Sequence, residues 1–121
     1  MRLIQLFLML FFCVPVFAAT YGDADCSLVE VIDGDTIRCD IKGYPDIIGK
    51  GISVRFRDVN TPEIKGEQRP QGLISKKKLE ALLAGAETVM LKDISRDKYF
   101  RIDADIYHKG RKINTNELLQ P

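Results

Sequence analysis

The chain has 121 residues, with 18 Lys and Arg against 17 Asp and Glu, one His, three Cys and no Trp. A sequence of this length holds one domain around one core. Its near-neutral charge argues against a protein that grips an acidic polymer by bulk charge, since such proteins carry a clear basic excess.

Residues 1–18 carry one early positive charge at Arg2, an apolar run from Leu6 to Phe12, and Val16-Phe17-Ala18 at the positions a signal peptidase reads. This pattern predicts a cleaved secretory signal, too short for a comfortable membrane span. An uncleaved anchor ranks behind it, and Phe11 and Phe12 disfavour lipidation at Cys13. The expected location is periplasmic or secreted, as a monomer with no stable membrane association once the signal is gone. Losing Arg2 leaves basic and acidic residues in balance. Losing Cys13 leaves Cys26 and Cys39, an even pair in an oxidising compartment. They flank a predicted hairpin, so a bridge between its arms is expected over the alternative of two buried thiols.

One compact domain is predicted over residues 24–121. Residues 27–32 alternate and read as a strand; Asp33-Gly34 reads as a tight turn, because both residues tolerate positive φ. Residues 36–42 return as the second arm, and 43–51 form a loop rich in Gly and Pro. Residues 52–59 form a third strand, broken by Asn60-Thr61-Pro62, since proline cannot donate to a ladder. Residues 64–71 read as a loop, and 73–84 as a helix with Leu79, Leu82, Leu83 and Ala86 on one face and Gly85 at its cap. Strands follow at 88–94 and 99–107, then a turn through His108, Lys109, Gly110 and Arg111 to a short edge segment. Asn114 with Glu117 resembles a capping box that opens a last helical turn. Five strands with a helix between the third and fourth predict an OB-fold barrel, mainly β in an α+β class.

Three stretches carry the chemistry: Asp33-Gly34-Asp35-Thr36, then Arg55 with Asn60-Thr61-Pro62-Glu63, then Asp97-Lys98-Tyr99-Phe100-Arg101. In this order they resemble the thermonuclease (staphylococcal-nuclease-like) family, over nearly all of the chain beyond the signal. Ile47-Ile48-Gly49-Lys50 and the form Lys98-Tyr99-Phe100-Arg101 look most like its secreted or periplasmic bacterial branch. The resemblance implies an OB-fold, one Ca²⁺, and hydrolysis of DNA and RNA. By the same resemblance Asp35 is the main Ca²⁺ ligand, joined by Asn60 and the backbone carbonyl of Thr61. A carboxylate suits a hard cation that takes oxygen donors. Glu63, on a stiff turn after Pro62, activates the attacking water as general base. Arg55 and Arg101 form a phosphate clamp, for which the rigid guanidinium fork is suited. Lys98 and Tyr99 bind a terminal phosphate and an adjoining base or sugar. Arg57 and Arg96 match no family position and read as solvent-facing partners of neighbouring acids.

The chain departs from the family pattern in three respects. Asn60 stands where a second metal-binding aspartate is usual, with Asp58 two residues earlier; the sequence ends at Pro121, before the usual tail; and the charge is neutral. Two function classes therefore stay open. Intact Glu63, Arg55 and Arg101 favour an exported Ca²⁺-dependent nuclease. Asn60, the early end and the neutral charge favour a non-catalytic, shortened OB-fold module that binds nucleic acid.

Overall fold

A computed structural model describes residues 20–57 and 59–113. Strands β1 (Ala24–Asp33) and β2 (Thr36–Ile41) form a hairpin, followed by a single helical turn, α1 (Asp46–Gly49), and β3 (Ile52–Phe56). Helix α2 (Arg69–Leu82) precedes β4 (Thr88–Arg96), β5 (Ile102–His108) and the short edge strand β6 (Arg111–Lys112). The sheet order is β3-β2-β1-β4-β5-β6, with an additional pairing of β3 to β5. That pairing is parallel, with Val54 opposite Ile102 and Arg55 opposite Asp103. It closes five strands into a barrel, an OB-fold-like arrangement in a mainly β, α+β fold, as the sequence predicts.

Alternation explains the core. On β2, Ile37, Cys39 and Ile41 point inward and are buried; on β5, Ile102, Ala104 and Ile106 do the same. Leu79 of α2 and Leu83 just beyond it reach into this core, which also takes Val54, Phe56, Val89, Leu91 and Ile94. Each full burial of such a side chain contributes about 1.5–3 kcal/mol. Val29 escapes the alternation because it is the extra residue of a bulge between Leu28 and Glu30, and it is exposed.

Cys26 and Cys39 are both fully buried and joined by a disulfide, with Cα atoms 5.7 Å apart. Cys26 faces Ile41 in the ladder and Cys39 faces Leu28, so the bridge crosses the hairpin diagonally.

Several predicted boundaries move, each for a local reason. Asp33 pairs with Thr36, so the tight turn is Gly34-Asp35, one residue later than predicted. Gly34 does not adopt positive φ. The loop at 43–51 contains α1, and β3 stops at Phe56. The predicted loop at 64–71 holds a 3₁₀ turn at Gly66–Gln68 and the start of α2, whose first turn takes Pro70. Proline is at home there because that position lacks an intrahelical N–H partner in any case. The segment 97–101 is a turn and not the start of β5: the Asp97 carboxylate accepts the N–H groups of Tyr99 (2.8 Å) and Arg101 (3.0 Å), and Phe100 sits at φ 62°. Arg57 does pair with an acid, Asp105, at 3.3 Å. It is half-buried, however, and also bonds the Asp93 carbonyl and the Ser95 hydroxyl at a bulge of β4. Arg96 bonds the Phe100 carbonyl. The predicted signal, Asp58 and the Asn114–Glu117 cap lie outside the described residues. Among the described residues no helix is long and apolar enough to cross a membrane.

The bridge closes a loop with a sequence separation of 13 in the unfolded chain. Replacing Cys26 and Cys39 together by Ala is expected to lower the unfolding free energy by about 3 kcal/mol in denaturant titration. An unchanged midpoint would mean that the hairpin is held without the bridge.

Candidate active site

The tip of the β1–β2 hairpin is a small knot of carboxylates. Asp33 Oδ1 accepts the N–H of Asp35 at 3.1 Å, an Asx-type turn that orients the second acid. Asp35 itself is buried. Its Oδ1 accepts the Thr36 hydroxyl at 2.9 Å, and its Oδ2 accepts the Thr61 N–H at 3.3 Å. The Arg55 guanidinium lies 4.0 Å from Oδ2, brought there because Arg55 pairs with Thr36 across β2 and β3. Burial raises the Asp35 carboxyl, but hydrogen bonds from Asp33, Thr36 and Thr61 and the charge of Arg55 outweigh it, so the net shift is downward. Asp33 goes the other way, pushed up to about 6 by burial and by its hydrogen bond and charge contact with Asp35. The pair thus holds one ionised carboxylate inside and a proton-accepting partner beside it.

Close packing against α2 sets the tip. A Cβ on Gly34 would stand 2.6 Å from the Ser75 Cβ and 2.8 Å from the Thr61 Oγ1. One on Gly72 would run into the backbone carbonyl of Glu63. Glycine is therefore required at these two positions by approach distance: the hairpin tip meets the side chains of Thr61 and Ser75, and the helix meets the backbone at 63–64. Thr61 is buried, and its Oγ1 has no hydrogen-bond partner among the described residues. Glu63 is exposed, its N–H bonded to the Gln68 side chain at 3.3 Å and its carboxylate 3.9 Å from Lys65 Nζ. Asn60 is exposed as well.

Arg101 stands at the mouth of β5. Its Nε donates to Asp97 Oδ2 at 2.7 Å, and this bond raises the arginine further above its ordinary value. Asp97 feels some desolvation, which the Arg101 bond and the N–H groups of Tyr99 and Arg101 overcome, leaving its carboxyl below the usual range. Lys98 Nζ lies 5.0 Å from the Tyr99 ring centroid and the Arg101 guanidinium carbon 5.1 Å from it, so one ring carries two cations. That ring is 64 % exposed.

Direct contact thus joins Asp35, Arg55 and Thr61, while Arg101, Lys98 and Tyr99 form a second group around Asp97. Glu63 and Asn60 flank Thr61 in the chain, with side chains turned to solvent. Two acids escaped the sequence reading: Asp97, which anchors Arg101, and Asp103, which stands opposite Arg55. The spacing of Asp97 and Arg101, four residues apart in a turn-rich segment, was the available signal for the first. Only the strand register reveals the second.

The side-chain donors in contact at the tip are oxygens: the Asp35 and Asp33 carboxylates and the orphaned Thr61 hydroxyl, with Asn60 next to Thr61 in the chain. That donor set suits a hard cation. It is poor in charge, and among the described residues no group of three Asp, Glu, His or Cys gathers to hold a metal ion.

No protein-family model matches the chain. A curated protein of Haemophilus influenzae, named as an uncharacterized endonuclease, is 33 % identical to it over 95 residues. The match takes in 78 % of this chain and 48 % of the relative. The chain therefore spans about half the length of the curated relative it matches.

If Gly34 is fixed by approach distance, Gly34→Ala must push the hairpin tip off α2. The expected loss is about 1–3 kcal/mol of unfolding free energy, measured by denaturant titration. Wild-type stability in that variant would contradict the packing described for Gly34, Thr61 and Ser75.

Proposed function

We propose that this chain is an exported nuclease of the thermonuclease type, hydrolysing phosphodiester bonds in DNA or RNA with the help of Ca²⁺. The observation that carries the reading is the joining of Arg55 to the buried Asp35 at the closed edge of the barrel, 4.0 Å apart. A buried acid and a half-buried arginine at the foot of an exposed, cation-rich turn form an arrangement suited to an anionic ester. The likeness to a relative named as an endonuclease supports it, as do the buried disulfide and the apolar start of the chain for export.

In this reading Arg55 and Arg101 bind the non-bridging oxygens of the phosphodiester. Both are permanently charged forks, and their pull grows as charge accumulates on the phosphoryl oxygens during attack. Asp97 keeps the Arg101 fork from wandering. Glu63 takes a proton from a water molecule as its oxygen bonds to phosphorus, and the bond from phosphorus to the leaving oxygen breaks. The leaving oxygen takes its proton from solvent. Glu63 suits this role, because its carboxylate is exposed and its ion-pair partner Lys65 lies at 3.9 Å. Lys98 and Tyr99 receive the neighbouring phosphate and its base or sugar. Asp35, Asn60 and Thr61 would hold Ca²⁺, which supplies positive charge beside the scissile phosphate when bound. One formal charge fewer at position 60 makes that hold weak, so activity requires calcium at extracellular levels.

The second reading, a non-catalytic module that binds nucleic acid, draws on Asn60 and on the absence of a charged metal cluster among the described residues. Cleavage of single-stranded DNA by the purified protein, with Ca²⁺ and with a chelator, separates the two. The nuclease reading expects cutting that the chelator stops, and a loss of roughly 10²–10³-fold in kcat for Arg101→Ala. It also expects Asn60→Asp to bind calcium more tightly in calorimetry and to cut faster. DNA binding without cutting, unchanged in Asn60→Asp, favours the binding module.

A further inference from the structure

The outer face of the β3–β5 junction is a ladder of opposite charges. Parallel register sets Arg55 opposite Asp103 and Phe56 opposite Ala104. Alternation then puts Asp103 and Asp105 of β5 on the same outer side as Arg55 of β3, with Arg57, just past the end of β3, reaching Asp105. Two acids along this ladder are well partnered. Asp105 has Arg57 at 3.3 Å and Lys112 at 3.6 Å. Asp97, at the entry to the strand, has Arg101 at 2.7 Å and two N–H groups. Asp103 differs: its Oδ1 is buried with no hydrogen-bond partner among the described residues. A carboxylate oxygen stripped of water without a donor weakens a fold, and a neutral side chain would remove that cost. The acid nonetheless stands opposite Arg55 and two residues after Arg101, the two arginines of the clamp.

We propose that Asp103 is a positioning residue for the clamp, a fixed negative charge across from Arg55 and two residues from Arg101 that holds Arg55 in its working direction. This rests on the reading of Arg55 and Arg101 as phosphate binders. Without Asp103, the Arg55 fork is drawn to Asp35 alone and turns away from the phosphate. With it, Arg55 has Asp35 at 4.0 Å and a second acid, Asp103, opposite it in the strand pair.

The charges facing Asp103 come from two places: Asp97 and Arg101 from the turn before β5, and Arg55 and Arg57 from β3 and the residue just past its end. Burial first, and then Asp97, raise its carboxyl above the ordinary value; Arg55, Arg101 and Arg57 offset this only in part. A folded-state pKa above the unfolded one means that the folded chain binds this proton more readily. Stability from the group is present at low pH and is lost as pH rises through the folded value, so at neutral pH the ionised acid weakens the fold.

A structural acid and a positioning acid therefore give opposite results. The test compares the purified protein with Asp103→Asn, Asp103→Leu and Asp103→Glu by thermal melting, by the Nε–Hε NMR signal of Arg55, and by steady-state cleavage of single-stranded DNA. The Asn and Leu variants are expected to melt at or above the wild-type temperature at neutral pH. Their Arg55 signal should move toward that of a free arginine and exchange faster with water. Their kcat should fall roughly ten- to hundredfold, with KM changed by less than about threefold. The Glu variant, which keeps the charge, should recover part of the rate. An unmoved Arg55 signal, a lowered melting temperature in both neutral variants, or wild-type kcat would overturn the proposal. If the wild-type protein itself does not cut, the nuclease reading fails, and the Arg55 signal alone still decides the role of Asp103.

Discussion

Everything at this site depends on one parallel strand pair. β3 and β5 are distant in sequence, and a parallel pairing between them requires the long crossover that α2 and β4 supply. Once made, it fixes which residues of β5 stand beside Arg55. A slip of one residue would turn Asp103 and Asp105 inward and bring Ile102, Ala104 and Ile106 out to solvent. The buried isoleucines thus hold the charged ladder in register, and core packing specifies the site's electrostatics.

Those electrostatics are local. The chain as a whole is nearly neutral, so long-range attraction of an anionic polymer contributes little. Each arginine of the ladder has an acid: Arg55 lies by Asp35, Arg101 by Asp97, Arg57 by Asp105. Such pairing allows cations to crowd one face without repelling one another apart. Arg57 spends its donors on the Asp93 carbonyl and Ser95, tying the end of β3 to β4. Arg55 has a looser setting, with Asp35 at 4.0 Å and Asp103 opposite it in the strand pair. Two arginines two residues apart thus sit differently, Arg57 as a brace between β3 and β4 and Arg55 beside the buried Asp35.

The fold was largely legible in the sequence because the apolar residues alternate where strands occur, and Leu79 and Leu83 mark the inward face of the helix. Boundaries failed where a side chain competes with the backbone ladder. Asp97 captures two N–H groups and converts 97–101 into a turn, and Pro70 lies in the first turn of α2, within the stretch 64–71 that reads as a loop from sequence alone. Gly34 was read for the wrong reason: its lack of a side chain serves close packing against Ser75 and Thr61, a contact between segments far apart in sequence. Asp103 was invisible for the same cause, since nothing in its local sequence tells which strand lies beside it. The named residues of the motifs could be picked out, whereas the contacts that orient them could not.

On the proposed reading, the closed barrel brings Asp35, Arg55 and Arg101 to one surface that receives a phosphodiester. Titrating the ¹⁵N-labelled protein with a short single-stranded oligonucleotide, with calcium present, tests it without relying on turnover. Amide shifts should concentrate on residues 34–36, 54–56, 60–63 and 97–103. Shifts centred on Lys76, Lys77 and Lys78 of α2, or none at any concentration reached, would contradict binding at this surface.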